Sequence, residues 1–158
     1  MDSELRKRFN PDGSLLRRQQ LRMLELLEVI DVICRKHQIP YWLSSGTLIG
    51  AARHEGFIPW DDDLDIEMLR SDYLRLLKVL PQELPDNLAL QTNETDPNYI
   101  FIYGKLRDKD SHLEETNSYD RIFHYTGIYI DIFPLEKIPY CLAWIGGHMQ
   151  GQIYNQLN

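Results

Sequence analysis

Long apolar runs are missing from this chain of 158 residues. No stretch approaches the ~18 consecutive apolar residues of a membrane-spanning helix. The N-terminus, Met1-Asp2-Ser3-Glu4-Leu5-Arg6-Lys7-Arg8, has no apolar h-region, which predicts no signal peptide. Cysteine is scarce too: Cys34 and Cys141 lie far apart without metal-ligand spacing, and Cys34 falls in an apolar helical stretch that predicts burial. His54, His112, His124 and His148 form no HExxH or paired spacing and are assigned no role. An excess of basic charge is also absent. A net charge of −7 argues against tracking nucleic acid along a broad basic surface, although it leaves room for one nucleotide. What basic charge there is clusters early (Arg6, Lys7, Arg8, Arg17, Arg18, Arg22). That cluster suits a solvated helix face, or peripheral contact with an anionic membrane surface. There are no internal repeats, and the length predicts one domain spanning residues 1–158, cytoplasmic by default.

What the chain does have is acid in an unusual place. Residues 56–66 read Gly-Phe-Ile-Pro-Trp-Asp-Asp-Asp-Leu-Asp-Ile. On a strand, alternation puts Asp61, Asp63 and Asp65 on one face and Asp62 and Leu64 on the other. Like charges on one face disfavour each other's ionisation, so a folded protein keeps such a set with a cation to neutralise it. Oxygen ligands without Cys or His nearby point to Mg²⁺ or Mn²⁺. A solvated acidic loop is the plainer reading, but Phe57, Ile58, Trp60, Ile66 and Met68 place the run at the edge of a core. A calcium EF-hand fails, because counting from Asp61 puts Ile66 where the sharp turn needs glycine.

Around this run the periodicity predicts a long amphipathic helix from an N-cap at Ser14 to His37, with Leu16, Met23, Leu27, Ile30 and Cys34 inward. A short strand follows over 39–43. A loop over 44–47 leads to a helix from Leu48 to His54, and the acidic strand runs from about Asp62 to Met68. Ser71 caps a helix ended by Pro81, with Tyr73, Leu74, Leu77 and Leu80 on its apolar face. Strands are predicted over 87–91, 99–107 and 127–133, the last ended by Pro134. Residues 108–121 read as a polar loop, and the tail from Pro139 as partly helical. Helices interleaved with a small sheet make an α/β (α+β) domain.

Asp131 is the only charge within the strongest strand. A lone carboxylate between two isoleucines either faces solvent or completes a metal site. Gly46-Thr47, opening a helix just before the acidic run, suits a phosphate, because glycine permits close approach and the helix start offers free N–H groups. It matches neither a P-loop nor a dinucleotide fingerprint. Arg53, Lys105 and Arg107 are candidate phosphate contacts, the last two sharing a strand face; surface cations are the alternative. Trp42, Trp60 and the tyrosines could cage a quaternary ammonium, though core packing is the commoner use.

The uninterrupted stretch from Ser45 to Ile66 resembles the hallmark of the LicD family, which includes bacterial phosphocholine transferases and is related to fukutin and fukutin-related protein. Gly127 to Leu135 resembles its second hallmark, and Lys105-Leu106-Arg107-Asp108 its intervening strand; together they cover roughly residues 20–140. The resemblance implies a nucleotidyltransferase-type fold, a small mixed sheet flanked by helices. Its acidic pair maps onto Asp63 and Asp65 and its third carboxylate onto Asp131, with Asp61 in register to help. It implies transfer of a phospho-alcohol from a CDP-linked donor to a carbohydrate hydroxyl of a cell-surface glycan precursor. Divalent ions on the three carboxylates would assist, and Asp131 would draw the proton from the attacking hydroxyl. Family members generally continue beyond Asn158, so the domain is expected to be C-terminally incomplete. A non-catalytic nucleotide- or metal-binding remnant is the alternative expectation, and a DxD glycosyltransferase a third.

Overall fold

A computed structural model describes residues 2–114 and 120–138. The predicted helical tail from Pro139 lies outside the described residues, as does part of the polar loop. In chain order the elements are α1 (Asp2–Phe9), α2 (Leu15–His37), β1 (Trp42–Leu43), α3 (Ser45–His54), β2 (Asp65–Leu69), α4 (Arg70–Glu83), β3 (Leu88–Gln91), β4 (Gly104–Asp108), a 3₁₀ turn (Asp120–Ile122) and β5 (Tyr129–Leu135). Among the described residues no helix is long and apolar enough to cross a membrane.

The strands form one mixed sheet in the order β1-β2-β5-β4-β3. β2 and β5 run parallel, and every other neighbouring pair is antiparallel. Strand alternation gives the sheet two unlike faces. One carries Ile66, Met68, Leu88, Leu90, Leu106, Ile130 and Ile132, which pack with Met23, Leu26, Ile30, Ile33 and Cys34 of α2 and Tyr73, Leu76 and Leu80 of α4 into a single apolar cluster. The other carries Asp65, Glu67, Lys105, Arg107, Tyr129, Asp131 and Phe133. The core therefore lies on one side of the sheet and the chemistry on the other.

Ser14 caps α2 as expected, its Oγ accepting from Arg17 N at 3.1 Å. Other boundaries differ. The acidic strand begins at Asp65, so Asp61 and Asp63 sit in an extended loop and their common face is not set by strand alternation. α3 starts at Ser45, which brings Gly46 and Thr47 inside its first turn. α4 starts at Arg70 directly from β2 and passes Pro81 to Glu83. Proline supplies no N–H, but so near the helix end only one carbonyl loses its donor. On α4, Leu76 faces the core, whereas Leu74 is half exposed. β4 is shorter than expected, and β5 runs through Pro134, which pairs with Met68 on the parallel side. α1 was not expected from the sequence at all.

Candidate active site

The register lays the polar face out in rows. Asp65 of β2 is the cross-strand partner of Asp131 of β5, and Asp131 in turn is the partner of Lys105 of β4. Lys105 Nζ pairs with Asp131 Oδ1 at 2.7 Å, both side chains being buried. The ammonium also lies 3.4 Å from the centre of the Tyr129 ring. Two carboxylates and one buried cation thus stand side by side across three strands.

α3 is fastened to this row by its first turn. Ser44 N donates to Asp65 O at 3.0 Å, and Asp65 N donates to Thr47 Oγ1 at 2.9 Å. Ser45 turns its hydroxyl to the Asp65 carboxylate. It does so from a left-handed backbone, φ 47°, an uncommon conformation for a residue with a side chain. The N–H groups of Ser45, Gly46 and Thr47 belong to the helix start and have no intrahelical acceptor. A Cβ at Gly46 would lie 2.6 Å from Asp61 Oδ2, so any side chain there would turn the Asp61 carboxylate aside. That oxygen is buried without a hydrogen-bond partner.

The acidic loop between α3 and β2 is held from the far side by α2. Gln20 Nε2 donates to Asp61 O at 2.8 Å and to Ile58 O at 3.2 Å, and Gln19 Nε2 donates to Asp62 O at 2.7 Å. Gln20 is itself fixed by Asn10 Nδ2, which donates to its Oε1 at 2.7 Å, and both side chains are buried. Replacing Gln20 with Leu leaves Asn10 Nδ2 and Asp61 O unpaired, whereas Ile58 O keeps its bond from Asp61 N. The expected loss is about 1–3 kcal/mol, read as a lower thermal midpoint, with weaker binding of divalent ions. An unchanged midpoint would show that water replaces the glutamine.

The electrostatics follow from burial. The Asp65 carboxyl is pushed up to about 6 by burial and by the charges of Asp63 and Asp131, against the hydroxyl of Ser45. Burial raises Asp131 as well, even with Lys105 beside it. Asp63 is raised by burial and by Asp62, and Asp61 by burial, Asp63 and Asp62. Four carboxyls that resist ionisation call for positive charge. Among the described residues, no three acidic, imidazole or thiol groups gather closely enough to enclose an ion. Two adjacent carboxylates nevertheless suit Mg²⁺, which commonly takes one or two protein carboxylates and completes its shell with waters and substrate phosphates.

Not every candidate meets this row. Arg53 is exposed in the last turn of α3, at the opposite end from Gly46 and Thr47. Arg107 shares the face of Lys105 but is 1% exposed. Its Nε donates to Gln91 Oε1 at 2.7 Å, its Nη1 donates to Gly127 O at 2.8 Å, and its guanidinium stacks on Tyr129. That makes it a strut of the sheet. Ser45, Gln20 and Glu67 belong to the site and were not singled out from sequence; the paired serines before Gly46 were the available signal for the first.

Residues 38–144 match the family described as LicD/FKTN/FKRP, nucleotidyltransferase domain. The chain is 47% identical over 125 residues to the lipopolysaccharide cholinephosphotransferase LicD of Haemophilus influenzae, covering 78% of this chain and 45% of that protein. It is 43% identical over 137 residues to an uncharacterized protein of Rickettsia prowazekii, covering 76% of this chain and 47% of that one. A shorter match, 50% over 34 residues, links it to the human ribitol 5-phosphate transferase FKRP, covering 22% of this chain and 7% of that protein. The chain spans about half the length of the first two relatives.

Proposed function

The chain belongs to the LicD/FKTN/FKRP family, and from that premise we propose that it transfers a phospho-alcohol, phosphocholine in the first instance, from a CDP-linked donor to a carbohydrate hydroxyl. The single observation that carries this reading is the Asp65–Asp131–Lys105 row beside the open first turn of α3. The N–H groups of Ser45, Gly46 and Thr47 receive donor phosphate, favoured by the positive end of the helix. Asp65 and Asp131 would hold Mg²⁺ or Mn²⁺, with Asp63 and Asp61 in the loop beside them. When bound, such an ion polarises the phosphate and stabilises the leaving nucleotide oxygen. Phosphoryl transfer needs positioning and charge neutralisation more than covalent help, which is what this row offers. Asp65 and Asp131 are also the carboxylates within reach of an attacking hydroxyl. Asp131 is the weaker base of the two, because Lys105 Nζ already sits on it.

One observation favours a second reading, a non-catalytic binding remnant. Lys105 stands on Asp131 in the place a catalytic cation would take. CMP release separates the two. Given CDP-choline, Mg²⁺ and a panel of glycan acceptors, a transferase releases CMP only when all three are present. Donor binding without turnover against any acceptor supports the remnant, and no binding of CDP-choline, CDP-ribitol or CDP-glycerol overturns both readings.

A further inference from the structure

We propose that the row next to the acid pair is a headgroup subsite that selects a quaternary-ammonium alcohol, with Glu67 and Trp42 as its specificity-determining residues. This deepens the transferase reading and rests on it. Trp42 of β1 is the cross-strand partner of Glu67, and Glu67 is the partner of Phe133 of β5. The Tyr103 ring lies beyond, 4.4 Å from that of Phe133. One carboxylate is thereby set in a line of aromatic rings, on the same face as Asp65 and Asp131. The two rows are two residues apart, about 7 Å along the strands, a step that a phosphate with a two-carbon linker to an ammonium can bridge.

The parts of this row are held rather than loose. Glu67 Oε2 accepts from Ser44 Oγ at 2.8 Å, and Ser44 is the residue whose N–H anchors Asp65. Trp42 is 47% exposed, so its ring is open to a ligand. The face has a second aromatic group, but it already contains a cation. Lys105 Nζ lies 3.4, 5.6 and 6.0 Å from the ring centres of Tyr129, Tyr103 and Phe101.

The chemistry of the row distinguishes ligands. A quaternary ammonium has no N–H to donate and is recognised by π faces together with a counter-charge, which Trp42, Phe133 and Glu67 supply. A polyol headgroup needs several directional acceptors and donors, which the π faces of Trp42 and Phe133 do not provide. A donor seated with its phosphates at the start of α3 and on the acid pair would place an ammonium headgroup over Glu67.

Equilibrium titration of the full chain in Mg²⁺ with CDP-choline, CDP-ribitol and CMP tests this. The parent should favour CDP-choline over CDP-ribitol. Glu67→Gln, which keeps shape and loses charge, and Trp42→Leu should each weaken CDP-choline about five- to tenfold. Both variants should leave CMP and CDP-ribitol within about twofold, a selectivity change that misfolding cannot produce. A parent that binds both donors with a ratio that neither variant alters overturns the subsite and leaves the donor site standing. A parent that binds neither donor overturns the transferase reading, and the subsite with it.

Discussion

Asp65→Asn should reduce CMP release by about 10³-fold or more, because several kcal/mol of charge stabilisation depend on this carboxylate's negative charge. The substitution preserves shape, so the fold should survive. Without metal it should even gain. The Asp65 carboxyl is pushed from 3.8 up to about 6 by burial and by Asp63 and Asp131. A group raised on folding contributes stability that is fully present below its unfolded value and is lost as pH rises through its folded value. For Asp65 that window runs from about pH 4 to slightly above 6. The metal-free parent should therefore lose thermal stability between pH 5 and 7.5, and Asp65→Asn should flatten that slope and melt a few degrees higher at pH 7.5. Divalent ions should raise the midpoint of the parent and do little for the variant. Thermal scans at the two pH values, with and without Mg²⁺, read all of this. A variant with full turnover, or one that melts lower than the metal-free parent at pH 7.5, would remove Asp65 from the site.

How much of this was legible beforehand depends on whether the cause of each feature is local. The pairing of Asp65 with Asp131 could be anticipated, because Asp65 closes the acidic run and Asp131 is a lone charge in an otherwise apolar strand. Strand alternation does not account for Asp61 and Asp63: the strand starts at Asp65, and what positions their loop is the pair Gln19 and Gln20. Gln20 reaches 41 residues along the chain for its acceptor, and no local pattern reveals that. The shared face of Lys105 and Arg107 was readable from alternation. Their different fates were not, since one meets Asp131 through the β4–β5 register and the other meets Gln91 across β3–β4. The helix–strand junctions failed for a related reason. β2 passes straight into α4, so a capping serine at 71 was neither needed nor used. Glu67 is instructive because it lies in plain sight two residues after Asp65. It gains meaning only when β1 and β5 bring Trp42 and Phe133 alongside.

Lys105→Met should be the most destabilising of the single substitutions in this row. The lysine is 4% exposed and Asp131 8%, and their ion pair is 2.7 Å long. Removing one partner of a buried pair strands the other charge and costs about 3–5 kcal/mol, or about 10 °C in a domain of this size. Methionine keeps most of the packing against Tyr129, so the loss is electrostatic in origin. Three consequences separate it from simple loss of contact. Without its cation Asp131 is pushed up further, so the deficit should be largest near neutral pH and shrink as the solution is acidified and the carboxyl takes up a proton. Adding Asp131→Asn should recover much of the loss, because no charge is then left behind. Mg²⁺ should also recover part of it, and by more than it stabilises the parent, since the ion meets an Asp131 freed of its competitor. Thermal midpoints of the parent, the two single variants and the double variant, each with and without Mg²⁺, complete the cycle. Should the lysine variant melt with the parent, or should its deficit ignore both pH and Asp131→Asn, the pair is not what balances this site. If instead Mg²⁺ rescues the lysine variant selectively, Lys105 and the metal compete for Asp131, and the site opens to its ion only when the ammonium gives way.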